Sequence, residues 1–348
     1  MGSFASSLRE TPALSVVLLV PGRRETVLRT LACLRAQSIQ QRLELLLFGE
    51  SLGVLEELQE EVAPFCGYQF VVWNRPRNLA AARAEGIRLA RAPLVVHAED
   101  HCFPEPGWAE ALVEAFEPLA DGRTPAAAGP LMVNENPRTL WSWAAFTLHF
   151  SHSAFTESHG PARYVATHNT CFRKEVLVAL GGHLDSGIEM ELLLQDRLRA
   201  EGHVLFHQSK AVTRHINISR PRASLTASFY GGWLFSTVRL REQQWTLGRR
   251  VFQLAVSPAV PLLQLKRRWN ALRRIAPGHT LLPWVAVPVL LVALVHTLGE
   301  ITGILFPKDR VIEQYSDFEN TRSRFVRLDE LALLEPPTEA PPAHAANA

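Results

Sequence analysis

Cysteine is scarce in this chain and badly spaced for pairing. Cys33, Cys66, Cys102 and Cys171 make no C-x-x-C pair and no run of closely set bridges. That argues against a disulfide-held secreted scaffold and a structural zinc module, and it fits a reducing compartment. No Gly-x-Gly-x-x-Gly follows the first predicted strand, which removes the dinucleotide turn of the usual dehydrogenases. No Gly-x-x-x-x-Gly-Lys-Ser/Thr occurs either, so there is no P-loop. The first ten residues lack the apolar core of a signal peptide, and the first domain is expected in the cytoplasm. Acidic residues are nearly missing from one long window. Between Thr213 and His279 stand twelve Lys or Arg against one acid, Glu242. The whole chain is only +2, so this window at +11 leaves the rest at −9. So basic a segment calls for an anionic partner. Because its arginines alternate with long apolar runs, the expected partner is an anionic membrane surface and not nucleic acid.

Turning to what is present, 348 residues suffice for one domain of about 200–250 residues and an appendage. The first hundred alternate short apolar runs with helical periodicity. Strands are predicted over Leu14–Val20, Glu44–Phe48, Gln69–Trp73 and Pro93–Ala98. Helices are predicted over Arg24–Gln37 and Val54–Val62, and an Ala-rich helix follows an Asn78 cap and runs to Arg91. Repeated β-α units with short connections imply an α/β domain with a parallel, right-handed, doubly wound sheet. Further on, a helix after Trp108, a strand over Ala126–Val133 and a helix over Pro137–Phe150 are expected. Arg163–Arg173 reads as extended, a helix runs from about Glu189 to Ala200, and two short strands end at Arg214–Asn217.

The most telling stretch is Pro93-Leu-Val-Val-His-Ala-Glu-Asp-His-Cys-Phe-Pro-Glu-Pro-Gly-Trp108. A buried strand there stops at Glu99, Asp100 and His101, and ligands of open α/β sheets bind beyond the carboxyl ends of strands. Two carboxylates and an imidazole suit a divalent cation.

In this order and spacing the motifs resemble the family 2 glycosyltransferases of GT-A fold, from about Leu14 to Asn217. Ser15-Val-Val-Leu-Leu-Val-Pro-Gly-Arg-Arg24 is similar to the family's strand-Pro-x-x-Arg opening, and Asn78-Leu-Ala-Ala-Ala-Arg-Ala-Glu-Gly-Ile87 to its Asn…Arg-Asn-x-Gly helix. Glu99-Asp100-His101 sits where the family has Asp-x-Asp, followed by a matching Pro-x-Pro-Gly-Trp. His168-Asn169, Leu180-Gly-Gly182, Glu191 with its helix to His203, and His215-x-Asn217 complete the series. Two departures stand out: Glu50 falls where the family has a base-binding aspartate, and Asp-x-Asp has become Glu-x-His.

The resemblance implies a GT-A-type, Rossmann-like, mostly parallel sheet and transfer of a sugar from a nucleotide-sugar donor to an acceptor hydroxyl, with inversion. It points to Pro21, Arg23, Glu50, Asn78, Arg83, Glu99 and Asp100 on the donor side. Glu99, His101 and His215 are implied as ligands of Mn²⁺ or Mg²⁺, and His168 and Asn169 as acceptor contacts. Glu191 is the implied general base, with Glu189 and Asp185 in reserve. Arg83 either meets a phosphate or holds the Glu99 loop. Trp108, Trp141 and Trp143 either stack on sugar or pack in the core. Rival readings are a hydrolase whose metal takes His97 as well, a nucleotidyltransferase, and a catalytically degenerate scaffold.

Three regions follow from this reading: a catalytic domain over 11–218, membrane-associated helices over 219–307, and a partly disordered tail over 308–348. Leu225–Leu240 is an amphipathic helix, and Leu281–Leu298 has no charged residue other than through its flanks. As a helix those eighteen residues span ~27 Å, just short of a hydrocarbon core of ~30 Å. Gly299-Glu300 then interrupts the run. A single span and a hairpin lying in the interface are both open, with Pro283, Pro288, His296 and Glu300 favouring the second. Either places the protein at the cytoplasmic face of a membrane, and a lipid-linked or cell-envelope glycan acceptor accords with it.

Overall fold

The computed structural model describes residues 3–20, 24–73, 79–154, 159–275 and 282–336. Its framework is one sheet built from β1 (Ser3–Ala5), β2 (Leu14–Leu19), β3 (Leu43–Gly49), β4 (Gly67–Val72), β5 (Leu94–Ala98), β6 (Cys102–Pro104), β7 (Pro125–Asn134), β8 (Gly160–Ala162), β9 (Cys171–Arg173) and β10 (Val204–His215). The order is β1-β4-β3-β2-β5-β9-β7-β10-β6, with β8 also on β10. β4, β3, β2 and β5 run parallel, as do β7 and β10. β9 joins the two groups antiparallel, setting Val95 opposite Phe172 and Ala128 opposite Cys171. The chain lays β3 and β4 to one side of β2 and returns with β5 on the other. The crevice at the carboxyl ends of β2 and β5 is therefore the switch point where such sheets bind ligands.

Helices cover both faces, which is why the central strands are apolar at almost every position. α1 (Arg24–Arg35), α2 (Leu52–Glu56), α3 (Gln59–Val62) and α4 (Leu79–Leu89) link the first strands. α5 (Trp108–Glu114), α6 (Leu140–Phe150), α7 (Lys174–Ala179), α8 (Leu184–Glu189) and α9 (Glu191–Ala200) follow. Side chains alternate across a strand. Val16 and Leu18 pack with Leu31, Leu34, Trp108 and Leu112. Val17 turns the other way, onto Ala82, Ile87, Leu177 and Leu194. Ser15, the polar exception in β2, is buried and accepts from the Ala92 amide at 3.0 Å.

Beyond the sheet come α10 (Pro221–Glu242), α11 (Leu247–Val256), α12 (Val260–Ile275), α13 (Leu282–Leu305) and α14 (Val311–Asn320), then two 3-10 turns ending at Leu334. α10 and α13 touch through glycine. A Cβ on Gly232 would stand 2.1 Å from the His296 carbonyl oxygen, and one on Gly299 2.1 Å from that of Phe229. Gly299 therefore does not interrupt the helix, as its sequence context suggests. α13 is continuous because the missing side chain is what lets two backbones meet. By length and composition Pro283–Leu305 is the one helix among the described residues able to cross a membrane, and 44% of its most apolar window is buried inside the protein.

Three other expectations change. Only Cys171–Arg173 of the supposed extended stretch 163–173 is a strand ahead of α7, because Asn169 adopts a left-handed φ of 57° and turns the chain. The two short strands before Asn217 are one, β10, with an irregular register between Gln208 and Val212. Residues 308–334, assigned to a tail, fold back onto the sheet domain, where Val326 and Leu334 pack with Phe103 and Ile216.

Gly299→Val should force α13 off α10 and lower the thermal midpoint by overpacking worth about 1–3 kcal/mol. Gly248→Ala, where nothing lies within 4 Å of the new Cβ, should leave the midpoint unchanged or raise it. Circular dichroism melts of the two variants check this, and equal falls would refute it.

Candidate active site

β5 ends at Ala98, and the chain turns through Glu99, Asp100 and His101 before β6. Thr30 on α1 anchors the turn, its hydroxyl 3.3 Å from the carbonyls of Glu99 and Cys102. Antiparallel pairing of β6 with β10 sets Cys102 opposite His215, and the Ile216 amide donates to the His101 carbonyl at 3.1 Å. Two residues 113 positions apart in the chain thus share a site through sheet register alone. His215 Nδ1 meets Asn217 Oδ1 at 2.9 Å, and Asn217 Nδ2 donates to Asn134 Oδ1 at 2.9 Å. With that amide oriented as an acceptor, the ring proton sits on Nδ1 and Nε2 is left bare, 3.8 Å from Glu99 Oε2.

Glu99 is the hub. Its Oε1 accepts from Arg83 Nη2 at 2.8 Å and lies 3.0 Å from His168 Nδ1. Its Oε2 accepts from Cys102 Sγ at 3.3 Å and lies 3.4 Å from His101 Nε2. Burial alone would raise the Glu99 carboxyl, yet His168, His101 and Arg83 outweigh it and hold it well below the ordinary carboxylate value. Arg83 thus holds the Glu99 loop. His101 Nδ1 is 2.9 Å from Asp100 Oδ1. On its other nitrogen, Arg322 Nη2 lies at 3.1 Å and Glu319 Oε2 at 3.5 Å. Glu319 and Arg322, themselves paired, enter from the end of α14 and the turn after it. The sequence reading missed both residues and Cys102. The one available signal was an i, i+3 acid–base pair set among Tyr315, Phe318 and Phe325, too common a pattern to single out.

Beside this cluster lies a cavity of about 460 Å³ between α4, α6 and the start of α9 on one side and the C-terminal helices on the other, lined by Arg83, His168, Glu191, Tyr315 and Glu319 among others. Glu191 opens α9, is buried, and has Oε2 without a partner, while Arg83 Nη1 stands 3.9 Å from Oε1. Burial pushes its carboxyl up to about 7, against the pull of His168 and Arg83. The reserves are committed elsewhere: Glu189 pairs with Arg241, and Asp185 with Arg88 at 2.7 Å. Asn169 is buried beside His168 with neither side-chain polar atom partnered. Glu50 is exposed just past β3. Trp108 and Trp143 are buried in two separate core clusters, and Trp141 packs against that of Trp143. Pro21, Arg23 and Asn78 lie outside the described residues.

Glu99, His101, Cys102 and His215 bring one ligand atom each to within 4.8 Å of one another, all buried. Burial, His101 and Arg322 keep the His215 imidazole neutral, the form that ligates. One oxygen, two imidazoles and a thiol fit a first-row dication such as Mn²⁺ better than Mg²⁺, which prefers oxygen. His97 is outside this set: it still belongs to β5, whereas Glu99 and His101 have left the strand. The hydrolase arrangement that needs His97 as a ligand is not assembled.

Residues 15–181 match the profile described as Glycosyl transferase family 2. No curated protein matches the chain. Among solved structures, S. aureus TarS is similar with a TM-score of 0.43 at 11% identity, covering 83% of this chain and 55% of that one. The chain spans about half the length of that protein.

Two buried acids should respond to mutation with opposite signs. Glu99→Ala strips Arg83 and His168 of their carboxylate and should cost about 3–5 kcal/mol in urea unfolding. Glu191 has a folded pKa raised above its unfolded one, so ionising it opposes folding. Its penalty grows as pH climbs from the unfolded value to about 7 and stays constant above. Glu191→Gln should therefore raise the urea midpoint at pH 8 and change it little at pH 4.

Proposed function

We propose that this chain, whose residues 15–181 match the Glycosyl transferase family 2 profile, is a glycosyltransferase that moves a sugar from a nucleotide diphosphate donor to an acceptor hydroxyl, with inversion, at a membrane surface. One observation carries the reading: a buried glutamate with a bare oxygen and a pKa near 7 shares a cavity with Arg83 and His168, both of which touch the Glu99 cluster.

The donor's diphosphate belongs in the crevice past β2 and β5, against Arg83 and Asp100. Glu99, His101 and His215, with Cys102, are the residues that would hold a divalent cation, which when bound supplies positive charge to a departing diphosphate. Glu319 and Asn320 narrow this crevice, where it is lined by Leu19, Ala98 and Asp100, to about 20 Å³. Donor entry therefore requires the end of α14 to shift. From the cavity side, Glu191 takes the proton of the acceptor hydroxyl as the oxygen attacks the anomeric carbon opposite the leaving diphosphate. His168, which lines the cavity, and its buried neighbour Asn169 are the proposed contacts to that hydroxyl. Arg83 keeps Glu99 and Glu191 apart in role as well as in space. It neutralises the first through a direct hydrogen bond and leaves the second, at 3.9 Å, free to titrate.

Membrane association rests on surface apolarity. Leu247, Val251 and Phe252 of α11, Leu262 and Leu263 of α12, and Trp284, Val287, Leu294 and Leu298 of α13 are all exposed. The glycine contacts tie the C-terminal part of α13 to α10, which favours a helix lying in the interface over one crossing alone. A second reading, a catalytically silent binding subunit, is favoured by the Arg322 guanidinium lodged against His101 and by the narrowed crevice.

Full-length protein in detergent, assayed across a panel of nucleotide sugars, should turn over one donor with Mn²⁺ and lose turnover with EDTA and in Glu99→Ala/His101→Ala. No binding of any donor by folded protein leaves the silent subunit. For the active enzyme, kcat/KM should rise with pH and level off above about 7, because the base works only as carboxylate. Glu191→Gln should lose about 10²-fold or more and the acid limb with it. Without detergent the protein should float with vesicles containing anionic lipid; protein that stays soluble and unbound would exclude membrane docking.

A further inference from the structure

The far wall of the large cavity holds a charge that, among the described residues, no carboxylate contacts. Arg268 on α12 is 94% buried, with a relative exposure of only 6%. Its Nη2 donates to Gln264 Oε1, one turn back on the same helix, while Nη1 has no partner at all. Arg83 and Arg322, the other two buried guanidiniums of this cavity region, each have a carboxylate in contact. Among the described residues Arg268 has none within ion-pair distance. The carboxylate that acts on it, Glu300, is hydrogen-bonded to His296 Nδ1 at 3.0 Å. Burial pulls the Arg268 pKa down to about 10, with Glu300 offsetting only part of the loss, so the group remains charged at neutral pH. A buried, ionised and unpaired guanidinium is costly to keep. Its fork of donors matches a phosphoryl group. Arg267, exposed, lines the same cavity and marks where it opens. Leu262 and Leu263, both exposed, lie about one turn away on α12.

We infer that Arg268, assisted by Arg267 at the rim, binds a phosphoryl group of the acceptor, and that this acceptor is an amphiphile whose apolar part lies along the exposed face of α12 and α13. The inference rests on the transferase reading above and specifies its acceptor. The phosphoryl group serves as an anchor: held at Arg268, it leaves the acceptor's hydroxyl-bearing part in the same cavity as Glu191, which takes up the hydroxyl proton. No bond to phosphorus forms or breaks. A cavity of about 460 Å³ has room for a small polar head, not for a lipid chain, so the chain stays outside on the apolar helices.

The test uses full-length wild type and Arg268→Gln in detergent. Thermal midpoints are read with no addition, with inorganic phosphate, and with phosphatidic acid or phosphatidylcholine in the micelle. Removing an unpaired buried charge should leave the empty variant as stable as wild type or more so. Phosphate should raise the wild-type midpoint and leave that of Arg268→Gln unchanged, and phosphatidic acid should do so at a concentration at least tenfold lower. Arg267→Gln should weaken both effects without abolishing them. A midpoint that responds equally in Arg268→Gln, or in neither protein, overturns the anion site. A response to phosphate with none to phosphatidic acid beyond phosphatidylcholine overturns the amphiphile. Donor hydrolysis in the absence of acceptor is followed in parallel. If it persists in Arg268→Gln while neither phosphate arm responds in wild type, the inference fails and the transferase reading stands; if donor turnover is absent from both, that reading fails by itself.

Discussion

The site depends on the ionised carboxylate of Glu99. Buried at the switch point of the sheet, it is tolerable only because a guanidinium and two imidazoles stand against it, and each arrives from a different part of the chain. Arg83 comes from α4, His168 from the turn before β9, and His101 from the same loop as Glu99 itself. Remove the carboxylate and these groups lose their reason to be buried. Remove them and the carboxylate must take up a proton. Such mutual dependence is how a polar cluster persists inside a low-dielectric interior.

Against that background the second buried glutamate behaves differently for a reason that distance supplies. Arg83 reaches Glu99 in a hydrogen bond but approaches Glu191 only to 3.9 Å. One acid is held charged, the other is left near its titration point. Environments that drive two nearby acids apart in pKa are how one site can offer both a fixed charge and a proton acceptor at neutral pH. The cavity that Glu191 lines, beside the Glu99 cluster, is closed on one side by α10, α12, α13 and α14, so the C-terminal third forms part of its wall. The glycine contacts between α10 and α13 fix that wall.

Sequence was legible wherever a local pattern had a local cause. The apolar runs of β2 to β5 and the helices between them followed from periodicity. The polar break at Glu99 followed from the abrupt end of an apolar strand. Glu191 and His215 were found only by likeness to a family's motifs, since a glutamate at a helix start and a histidine at a strand end are ordinary features. Gly299 misled, because glycine has the same local meaning in a helix break and in a helix–helix contact, and only the partner backbone tells them apart. Arg268 stood in a basic run where nothing distinguished it from Arg267. One of the two is exposed and the other is sealed in a cavity wall.

By itself the sequence determined an α/β sheet with the switch-point crevice past its fourth predicted strand, a basic and apolar C-terminal third, and a glutamate, an aspartate and a histidine at the crevice. These depend on side-chain periodicity and on interactions between near neighbours. Tertiary structure decided which charges meet. It put His215 beside Cys102 by strand register, folded Glu319 and Arg322 back from some two hundred residues away onto His101, paired Glu189 and Asp185 off, and left one oxygen of Glu191 and one nitrogen of Arg268 without a hydrogen-bond partner. A charge's partner and its burial are set by distances across the fold, and no spacing along the chain records them.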